Sequence, residues 1–342
     1  MSAAWTVGVD FGGTNIKVGL VDRRGRVAQM VRLSTHRAGK PDTFVPAISR
    51  TARAMARSVG VRSSELLGIG IGAPGLVDAS RGIVHYLVNV PGWRRVPLAT
   101  RLRRRVGCPV AVDNDVNLVA LGEWCFGAGR GSRHLVCVTL GTGIGGGLII
   151  GPCLYRGASG SAGELGHMVL APGGPRCGCG RRGCLEASIG TRAILRQARA
   201  AMRHGAPRLR RLVRAGGGKL TSELVARAAA SGDPTSRRIW REVGASLGTV
   251  LASVVNLMNP DRIVIGGGVA NAWRFLAPGM TTALRAHAMD VPARAVKVVC
   301  SQLAERAGML GAAVLVWQHI EERSRLEAGC DATSHERRGG LS

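Results

Sequence analysis

The chain of 342 residues has few acidic side chains and few aromatic ones. Asp and Glu number 21 against 47 Lys and Arg, which gives a formal net charge of +26, and aromatic residues make up 4%. A charge of this sign attracts polyanions, but the basic residues are spread along the chain without a basic arm or interleaved aromatics. We therefore expect no specific nucleic-acid partner, while the positive field favours the capture of phosphorylated ligands.

Long apolar runs are also absent. No stretch of about eighteen apolar residues lacks glycines or charges, and the first residues show no basic segment ahead of an apolar one. A hydrophobic share of 46% is ample for buried cores in a chain that is long enough for two domains. The sequence predicts a globular cytoplasmic protein with neither a membrane span nor a signal peptide.

The nine cysteines are an odd number, and most are scattered in apolar surroundings, as is typical of reduced thiols. One group stands apart because it combines an imidazole with three thiols: His167, Cys177, Cys179 and Cys184. These donors complete a closed tetrahedral shell, which predicts a structural zinc ion in the loop 164–186. Disulfides are the alternative, but they cannot satisfy all four groups, and a reducing compartment disfavours them.

Apolar segments that end at glycine or asparagine predict strands, and they alternate with helical patterns. The predicted strands are 6–10, 18–22, 67–71, 109–113, 134–140, 148–150 and 262–265, and the predicted helices are 43–58, 234–259 and 303–318. The alternation indicates an α/β fold. A strand, glycine turn and strand occur near the start of each half, which predicts two similar lobes around a central cleft that holds a nucleotide.

Three glycine-rich segments are candidate phosphate sites because residues without side chains let backbone N–H groups approach phosphate oxygens. The residues of this predicted clamp are Asp10, Gly12, Gly13, Thr14, Thr142, Gly143, Gly266 and Gly267. The hydroxyls of Thr14 and Thr142 add donors, and Asp10 is a candidate partner of Mg2+. A tight hairpin without a ligand is the alternative for either of the first two segments alone.

Polar residues follow the strand predicted at 109–113. Asp115 is the candidate general base, because phosphoryl transfer to a hydroxyl needs a carboxylate near the attacking O–H. Asn114 can donate to a sugar hydroxyl and accept from it. The alternative is that both residues only cap the helix that follows.

Glu164 and Glu186 flank the predicted zinc ligands. Two carboxylates in one pocket suit the recognition of vicinal hydroxyls on a polyol. A glycosidase pair is the alternative, but a glycosidase has no use for two phosphate turns.

Together these motifs resemble the ROK family (repressor, open reading frame, kinase) of the actin-like ATPase superfamily. The resemblance lies in the segment 10–17, which ends at Lys17, in 140–147, in 266–268, and in the sequence from Glu164 to Glu186. It implies two actin-like, ribonuclease H-like lobes. The implied lobes are residues 1–113 with about 305–320, and residues 114–304. The polar and charged composition of the last residues predicts a disordered tail at 321–342.

The resemblance also implies roles for individual residues. Asp115 is implied as the catalytic base, and Lys17 as part of the ATP site. The residues implied to contact the sugar are Gly75, Asn89, Asn114, Asp115, Glu164, His167 and Glu186. His167 would serve both zinc and sugar, one ring nitrogen for each.

The implied activity is the ATP-dependent phosphorylation of a hexose at its 6-hydroxyl, with D-glucose expected, Mg2+ accompanying ATP, and zinc as the structural metal. Other kinases of the family act on N-acetylmannosamine, N-acetylglucosamine, fructose or allose, and polyphosphate is an alternative donor. A non-catalytic sugar-sensing regulator is the other alternative. Only nine residues precede Asp10, so we expect no DNA-binding domain there. A homodimer or homotetramer is expected from the resemblance alone.

Overall fold

The computed structural model describes residues 4–87 and 90–336. The strands in these residues are β1 (Trp5–Phe11), β2 (Asn15–Asp22), β3 (Val27–Ser34), β4 (Gly68–Ala73), β5 (Leu76–Asp78), β6 (Ile83–Tyr86), β7 (Val110–Asn114), β8 (His134–Leu140), β9 (Ile144–Ile150), β10 (Cys153–Tyr155), β11 (Arg262–Gly266) and β12 (Lys297–Cys300). Each predicted strand overlaps one of these strands.

The helices are α1 (Thr35–Ala38), α2 (Pro41–Ser58), α3 (Leu98–Val106), α4 (Asp115–Phe126), α5 (Leu185–Ile189), α6 (Thr191–His204), α7 (Pro207–Ala215), α8 (Ser222–Ala230), α9 (Pro234–Met258), α10 (Trp273–His287), α11 (Asp290–Ala295) and α12 (Ala307–Glu336). Short 3-10 turns cover Ser63–Glu65, Leu165–His167, Gly268–Ala272 and Ala304–Arg306. In the part of the chain that the structure describes, no helix is long and apolar enough to cross a membrane.

Local sequence explains the bounds of the longest fully described helix, α9. The Asp233 carboxylate accepts a hydrogen bond of 2.8 Å from the Ser236 N–H, and Pro234 occupies the first turn, where its missing N–H costs nothing. Asn259 ends the helix in the left-handed conformation, with φ at 44°. These are the start and stop that the sequence predicted.

The chain divides into two compact units. Unit 1 comprises residues 1–126 with 306–342, and unit 2 comprises residues 127–305. The first boundary falls after Phe126 rather than at residue 113, because α4 packs against α12 within unit 1. Asn114 and Asp115 therefore belong to unit 1 and not, as predicted, to the larger lobe.

The two units repeat one sheet topology. In unit 1 the strand order is β3-β2-β1-β4-β7, and in unit 2 it is β10-β9-β8-β11-β12. In each sheet the first three strands are antiparallel, and the last two run parallel to the central one. This confirms the prediction of two similar α/β lobes, each built on a hairpin with a glycine turn.

Helix α12 lies close against the sheet of unit 1 because a row of glycines crosses three strands. Gly8 pairs with Gly19 on one side and with Gly70 on the other. A Cβ atom on Gly70 would lie 1.8 Å from the backbone oxygen of Ala312, and one on Gly8 would lie 2.0 Å from that of Met309. The buried Trp317 indole donates to the Thr6 hydroxyl at 2.7 Å, which fixes the register of the helix on the strand.

The end of α12 differs from the sequence prediction. The polar composition from residue 321 onward predicts a disordered tail, whereas the structure continues the helix to Glu336. This segment contains many good helix formers and no proline, so propensity allows the continuation. Residues 337–342 lie outside the described residues.

The glycine row generates a test of stability. We expect Gly70→Ala to lower the unfolding temperature of unit 1, because the added methyl group forces α12 off the sheet, and overpacking of this kind costs about 1–3 kcal/mol. Gly13→Ala is the control in the same unit, since a Cβ there meets nothing within 4 Å. Differential scanning calorimetry should show the loss in the first variant only, and equal unfolding temperatures for the two variants would contradict this packing.

Candidate functional site

The first glycine turn joins β1 to β2, and its backbone is held from two sides. The Gly12 N–H donates to the Asn15 carbonyl at 3.1 Å, and the Thr35 hydroxyl donates to the Gly12 carbonyl at 2.7 Å. The Thr35 N–H donates to the Thr14 carbonyl at 3.0 Å. Gly13 and Thr14 are exposed, and a Cβ on Gly13 would meet nothing within 4 Å. The turn is therefore a fixed backbone with one open face.

Asp10 and Lys17 face each other at the base of this turn. They are paired in the register of β1 and β2, and the Lys17 Nζ lies 3.1 Å from the Asp10 Oδ2. Gly308 brings the first turn of α12 to the same carboxylate, since its Cβ would lie 3.0 Å from the Asp10 Cγ. A held carboxylate and a held ammonium so close to the turn suit a metal–phosphate complex.

Asn114 and Asp115 lie where β7 ends and α4 begins. The Asn114 Oδ1 accepts from the Val116 N–H at 2.9 Å, and the Asn114 Nδ2 donates to the Gly75 carbonyl at 3.1 Å. The Val116 N–H also lies 3.0 Å from an Asp115 carboxylate oxygen. The helix-capping alternative is therefore real for these residues. With these bonds formed, the Asp115 side chain is half-buried and is held at the end of strand β7.

The side chain of Asp113 also holds the junction between β7 and α4. The buried Asp113 carboxylate accepts from the Asn114 N–H at 2.7 Å and from the Asn117 amide at 2.9 Å. Gly72, in the neighbouring strand, admits the start of α4, because its Cβ would lie 3.2 Å from the Asp115 Cα. The position of Asp115 is thus set by the backbone of two adjacent strands.

The parallel strands of unit 1 bring these groups to one edge of the sheet. Asp10 of β1 pairs with Gly72 of β4, and Gly72 pairs with Asp113 of β7. The carboxyl ends of parallel strands are where α/β proteins assemble ligand sites. Gly75, with φ at +106°, follows β4 there and reaches Asn114 through its carbonyl. The predicted sugar contact Asn89 lies outside the described residues.

The second glycine turn joins β8 to β9 in unit 2. The Gly141 N–H donates to the Gly143 carbonyl at 2.9 Å, and the Gly141 carbonyl accepts both from the Thr191 hydroxyl at 2.7 Å and from the Thr191 N–H at 3.1 Å. At the other end, the Ile144 N–H donates to the Glu186 Oε2 at 2.9 Å. Thr142 and Gly143 are exposed between these anchors.

The third glycine segment meets the second at the same edge of the unit 2 sheet. Gly266 ends β11 opposite Thr139 of β8. Gly267 follows with φ at +84°, and a Cβ on it would lie 2.4 Å from the Leu140 carbonyl oxygen. Only glycine allows the chain to pass this close to the base of the second turn. The predicted phosphate residues of unit 2 therefore lie together.

His167, Cys177, Cys179 and Cys184 form one cluster. Their candidate ligand atoms all lie within 4.8 Å of one another. The Cys177 Sγ is 3.7 Å from the His167 Nδ1, and the sulfurs of Cys179 and Cys184 are 3.7 Å apart. A tetrahedral zinc site has sulfur–sulfur edges of about 3.8 Å, since each Zn–S bond measures about 2.3 Å. The four donors fit such an ion.

Tight backbone turns bring the thiols together. The Cys177 N–H donates to the Arg181 carbonyl at 2.8 Å, and the chain reverses at Gly180, with φ at +89°. Burial raises the pKa of the Cys177 thiol to about 12 and raises that of Cys184, whereas the Arg181 N–H lowers the pKa of Cys179. Because a metal binds the thiolate form, we expect metal affinity to fall as the pH falls.

The two acidic residues beside the cluster are placed differently. Glu164 is exposed, and its Oε2 lies 3.8 Å from the His167 Nε2, the ring nitrogen that faces away from the sulfurs. Glu186 is half-buried, and its Oε1 lies 3.8 Å from the Cys177 Sγ while its Oε2 accepts from Ile144. Glu186 thus contacts both the cluster of His167 and the three cysteines and the second glycine turn.

The candidate residues fall into one group in each unit. Unit 1 brings together Asp10, Lys17, the first turn, Gly75, Asn114 and Asp115, and unit 2 brings together the metal cluster, Glu164, Glu186 and the other two glycine segments. The convergence of Asp115 with Glu164 and Glu186 stays a prediction. Sequence reasoning missed Thr35 and Thr191, which anchor the two turns. Spacing within a few residues gives no signal for either one, because each threonine begins a helix far along the chain from the turn that it bonds.

Comparison with known proteins identifies the family. A family model described as the ROK family matches residues 6–319, and this chain belongs to that family. A glucokinase of Streptomyces coelicolor is 36% identical over 315 residues, which cover 91% of this chain and 96% of the relative. A glucokinase of Thermotoga maritima is also 36% identical, and the match covers 92% of this chain and 98% of that glucokinase.

A solved structure supports the same assignment and adds the fold. The ROK family glucokinase of Streptomyces griseus in complex with glucose and AMPPNP is 35% identical, with a TM-score of 0.80, and the match covers 92% of this chain and 100% of that one. The chain therefore has the actin-like α/β fold of this family. The DNA-binding transcriptional repressor Mlc of Escherichia coli is 32% identical, but the match covers 73% of this chain and 60% of the repressor.

The cluster geometry generates a test of metal binding. We expect about one zinc ion per chain by elemental analysis, as a closed site with three Cys and one His binds zinc tightly. Cys177→Ser should lose the metal because it removes a buried ligand, whereas Cys153→Ser, at an exposed cysteine outside the cluster, should retain it. Equal metal content in the two variants would contradict the site.

Proposed function

We propose that this protein phosphorylates a hexose at its 6-hydroxyl with ATP, and that its principal substrate is D-glucose. The observation that carries the proposal is the joint presence of two anchored phosphate turns and a held Asn114–Asp115 corner in a chain similar to glucokinases along nearly its whole length. A sugar kinase needs all of these parts, whereas a sugar-binding regulator needs only the sugar contacts.

Asp115 is proposed as the general base. Its carboxylate takes the proton of the 6-hydroxyl while that oxygen attacks the terminal phosphorus of ATP. The oxygen–phosphorus bond to the sugar forms, the bond to the ADP oxygen breaks, and the proton ends on Asp115. The bonds that hold Asn114 and the start of α4 fix the direction of this carboxylate before the sugar binds.

The glycine turns are proposed to hold the phosphates. The backbone N–H groups near Gly12, Gly13 and Gly143 donate to phosphate oxygens, together with the exposed hydroxyls of Thr14 and Thr142. Lys17 offsets phosphate charge, and Gly266 and Gly267 accommodate the adenosine. Mg2+ bound with ATP supplies neutralisation of the charge on the transferred group, and Asp10 is the residue placed to hold it.

The sugar is proposed to contact Asn114, Glu164, His167 and Glu186, with Gly75 and Asn89 at the pocket lining. Zinc would be held by His167 Nδ1 and the three thiols, which leaves the His167 Nε2 for a sugar hydroxyl and fixes the tautomer. The metal would be structural, since four protein donors close its coordination shell. We propose that it keeps the loop that carries both acids in place.

The base generates a kinetic test. We expect Asp115→Asn to lower kcat by about 100-fold to 10,000-fold, with little change in sugar affinity, because the variant retains the shape of the side chain and loses only proton acceptance. Asp42→Asn, at an exposed aspartate in the same unit, is the control and should leave kcat unchanged. A kcat for Asp115→Asn within about tenfold of the wild type would exclude general-base catalysis by this residue.

A substrate panel separates the alternatives. We expect ADP release in a coupled assay to be fastest with D-glucose, and slower with fructose, allose, N-acetylglucosamine and N-acetylmannosamine. Running the panel with polyphosphate in place of ATP tests the donor, for which the positive charge of the chain is an advantage. A faster rate with another sugar would reassign the substrate, and no turnover with any sugar would favour a regulator of the kind to which the Mlc repressor belongs.

A further inference from the structure

The second glycine turn is fastened at both ends by one short stretch of chain, Cys184–Thr191, which we call the clasp. Thr191, at the start of α6, donates twice to the Gly141 carbonyl at the beginning of the turn. Glu186, in α5, accepts from the Ile144 N–H at the end of the turn. The exposed residues Thr142 and Gly143 are held between these two attachments.

The clasp packs closely against the turn at Gly143, and within the clasp Gly190 has no space for a side chain. A Cβ on Gly143 would lie 2.7 Å from the Glu186 Oε2, and a Cβ on Gly190 would lie 2.7 Å from the Glu186 carbonyl oxygen and 3.5 Å from the Thr142 carbonyl oxygen. Hydrogen bonds and close packing act on the same few atoms. A shift of the clasp must therefore shift the turn.

The other end of the clasp belongs to the metal cluster. Cys184 is fully buried and immediately precedes α5, and the Leu185 N–H donates to the Met168 carbonyl at 2.9 Å, beside His167. The Glu186 carboxylate links the two sites directly, with its Oε1 3.8 Å from the Cys177 Sγ and its Oε2 on Ile144. One side chain and one chain segment thus connect the metal ligands to the turn.

We propose that the clasp makes the position of the second phosphate turn depend on the metal cluster. Metal occupancy then determines the affinity for the nucleotide as well as the geometry of the sugar pocket. Glu186 and Thr191 act as positioning residues for the turn. The proposal rests on the proposed function in taking this turn as part of the nucleotide site. The Thr191 hydroxyl donates to the Gly141 carbonyl, and Thr191 is a member neither of the cluster nor of the proposed sugar residues, so it can be changed without removing a member of either.

Thr191→Val tests the attachment to the turn. We expect the dissociation constant of the magnesium complex of AMPPNP, measured by calorimetry without sugar, to rise about fivefold, as suits one lost hydrogen bond. The KM for ATP should rise likewise, while kcat, the KM for glucose and the zinc content stay unchanged. Thr191→Ser retains the hydroxyl and should bind as the wild type does. A change of less than twofold for Thr191→Val, or an equal loss for Thr191→Ser, would overturn the proposal.

Removal of the metal tests the other end of the clasp. The full chain is stripped of zinc by a chelator, exchanged into magnesium buffer, and compared with the zinc-loaded chain in the same AMPPNP titration. We expect at least fivefold weaker binding, faster amide hydrogen exchange in a peptide that contains Ile144, and recovery of both on adding zinc. Unchanged affinity and unchanged exchange in a chain that keeps its circular dichroism spectrum would overturn the proposal. If the chain without zinc unfolds, the comparison of Thr191→Val with Thr191→Ser decides whether the clasp positions the turn.

The two proposals fail in different ways. A chain that phosphorylates sugars but binds AMPPNP independently of zinc and of the Thr191 hydroxyl contradicts the clasp alone. A chain whose AMPPNP affinity follows zinc and Thr191 as expected, but which phosphorylates no sugar, contradicts the proposed function alone.

Discussion

Each unit depends on a hairpin turn that must expose its backbone at the edge where parallel strands end. Side chains there would block the approach of a ligand, and an unsupported glycine turn would be too flexible to hold one. In the structure, each turn exposes its backbone and is held by hydrogen bonds from a residue outside its own hairpin. Thr35, at the start of α1, bonds the turn of unit 1, and Thr191, at the start of α6, bonds the turn of unit 2. The two units thus share this threonine anchor as well as a strand order.

Glycines serve a second purpose away from the turns. In unit 1 the glycine row of β2, β1 and β4 admits α12, and in unit 2 Gly244 and Gly248 bring α9 against α10, with a Cβ on either lying about 2 Å from backbone atoms. Close packing fixes each helix on its support, so that the edge groups move little relative to the sheet. Rigid elements of this kind are what a preorganised site requires.

Much of this could be predicted from the sequence because the signals are local. The strand ends, the bounds of α9, the glycine turns and the ligand set of the metal cluster all follow from spacing within a few residues. The boundary after Phe126 and the continuation of α12 could not, because they depend on packing between segments far apart in the chain, such as α4 with α12. Thr35 and Thr191 were missed for the same reason, since Thr191 bonds Gly141 across 50 residues.

The contacts of Asn114 show how the capping of α4 is compatible with the catalytic role proposed for the neighbouring Asp115. Its Oδ1 accepts from the start of α4, and one amide hydrogen is committed to the Gly75 carbonyl. An amide has two such hydrogens, so one donor remains, whereas both lone pairs of the Oδ1 are engaged, by the Val116 N–H at 2.9 Å and the Asn117 N–H at 3.4 Å. Toward the proposed sugar, Asn114 would then be a donor rather than the donor and acceptor that the sequence indicated. A hydroxyl that accepts from Asn114 must direct its own hydrogen elsewhere, and the adjacent Asp115 carboxylate is an acceptor. Under the proposed function, capping would thus orient the pair for proton transfer instead of competing with it.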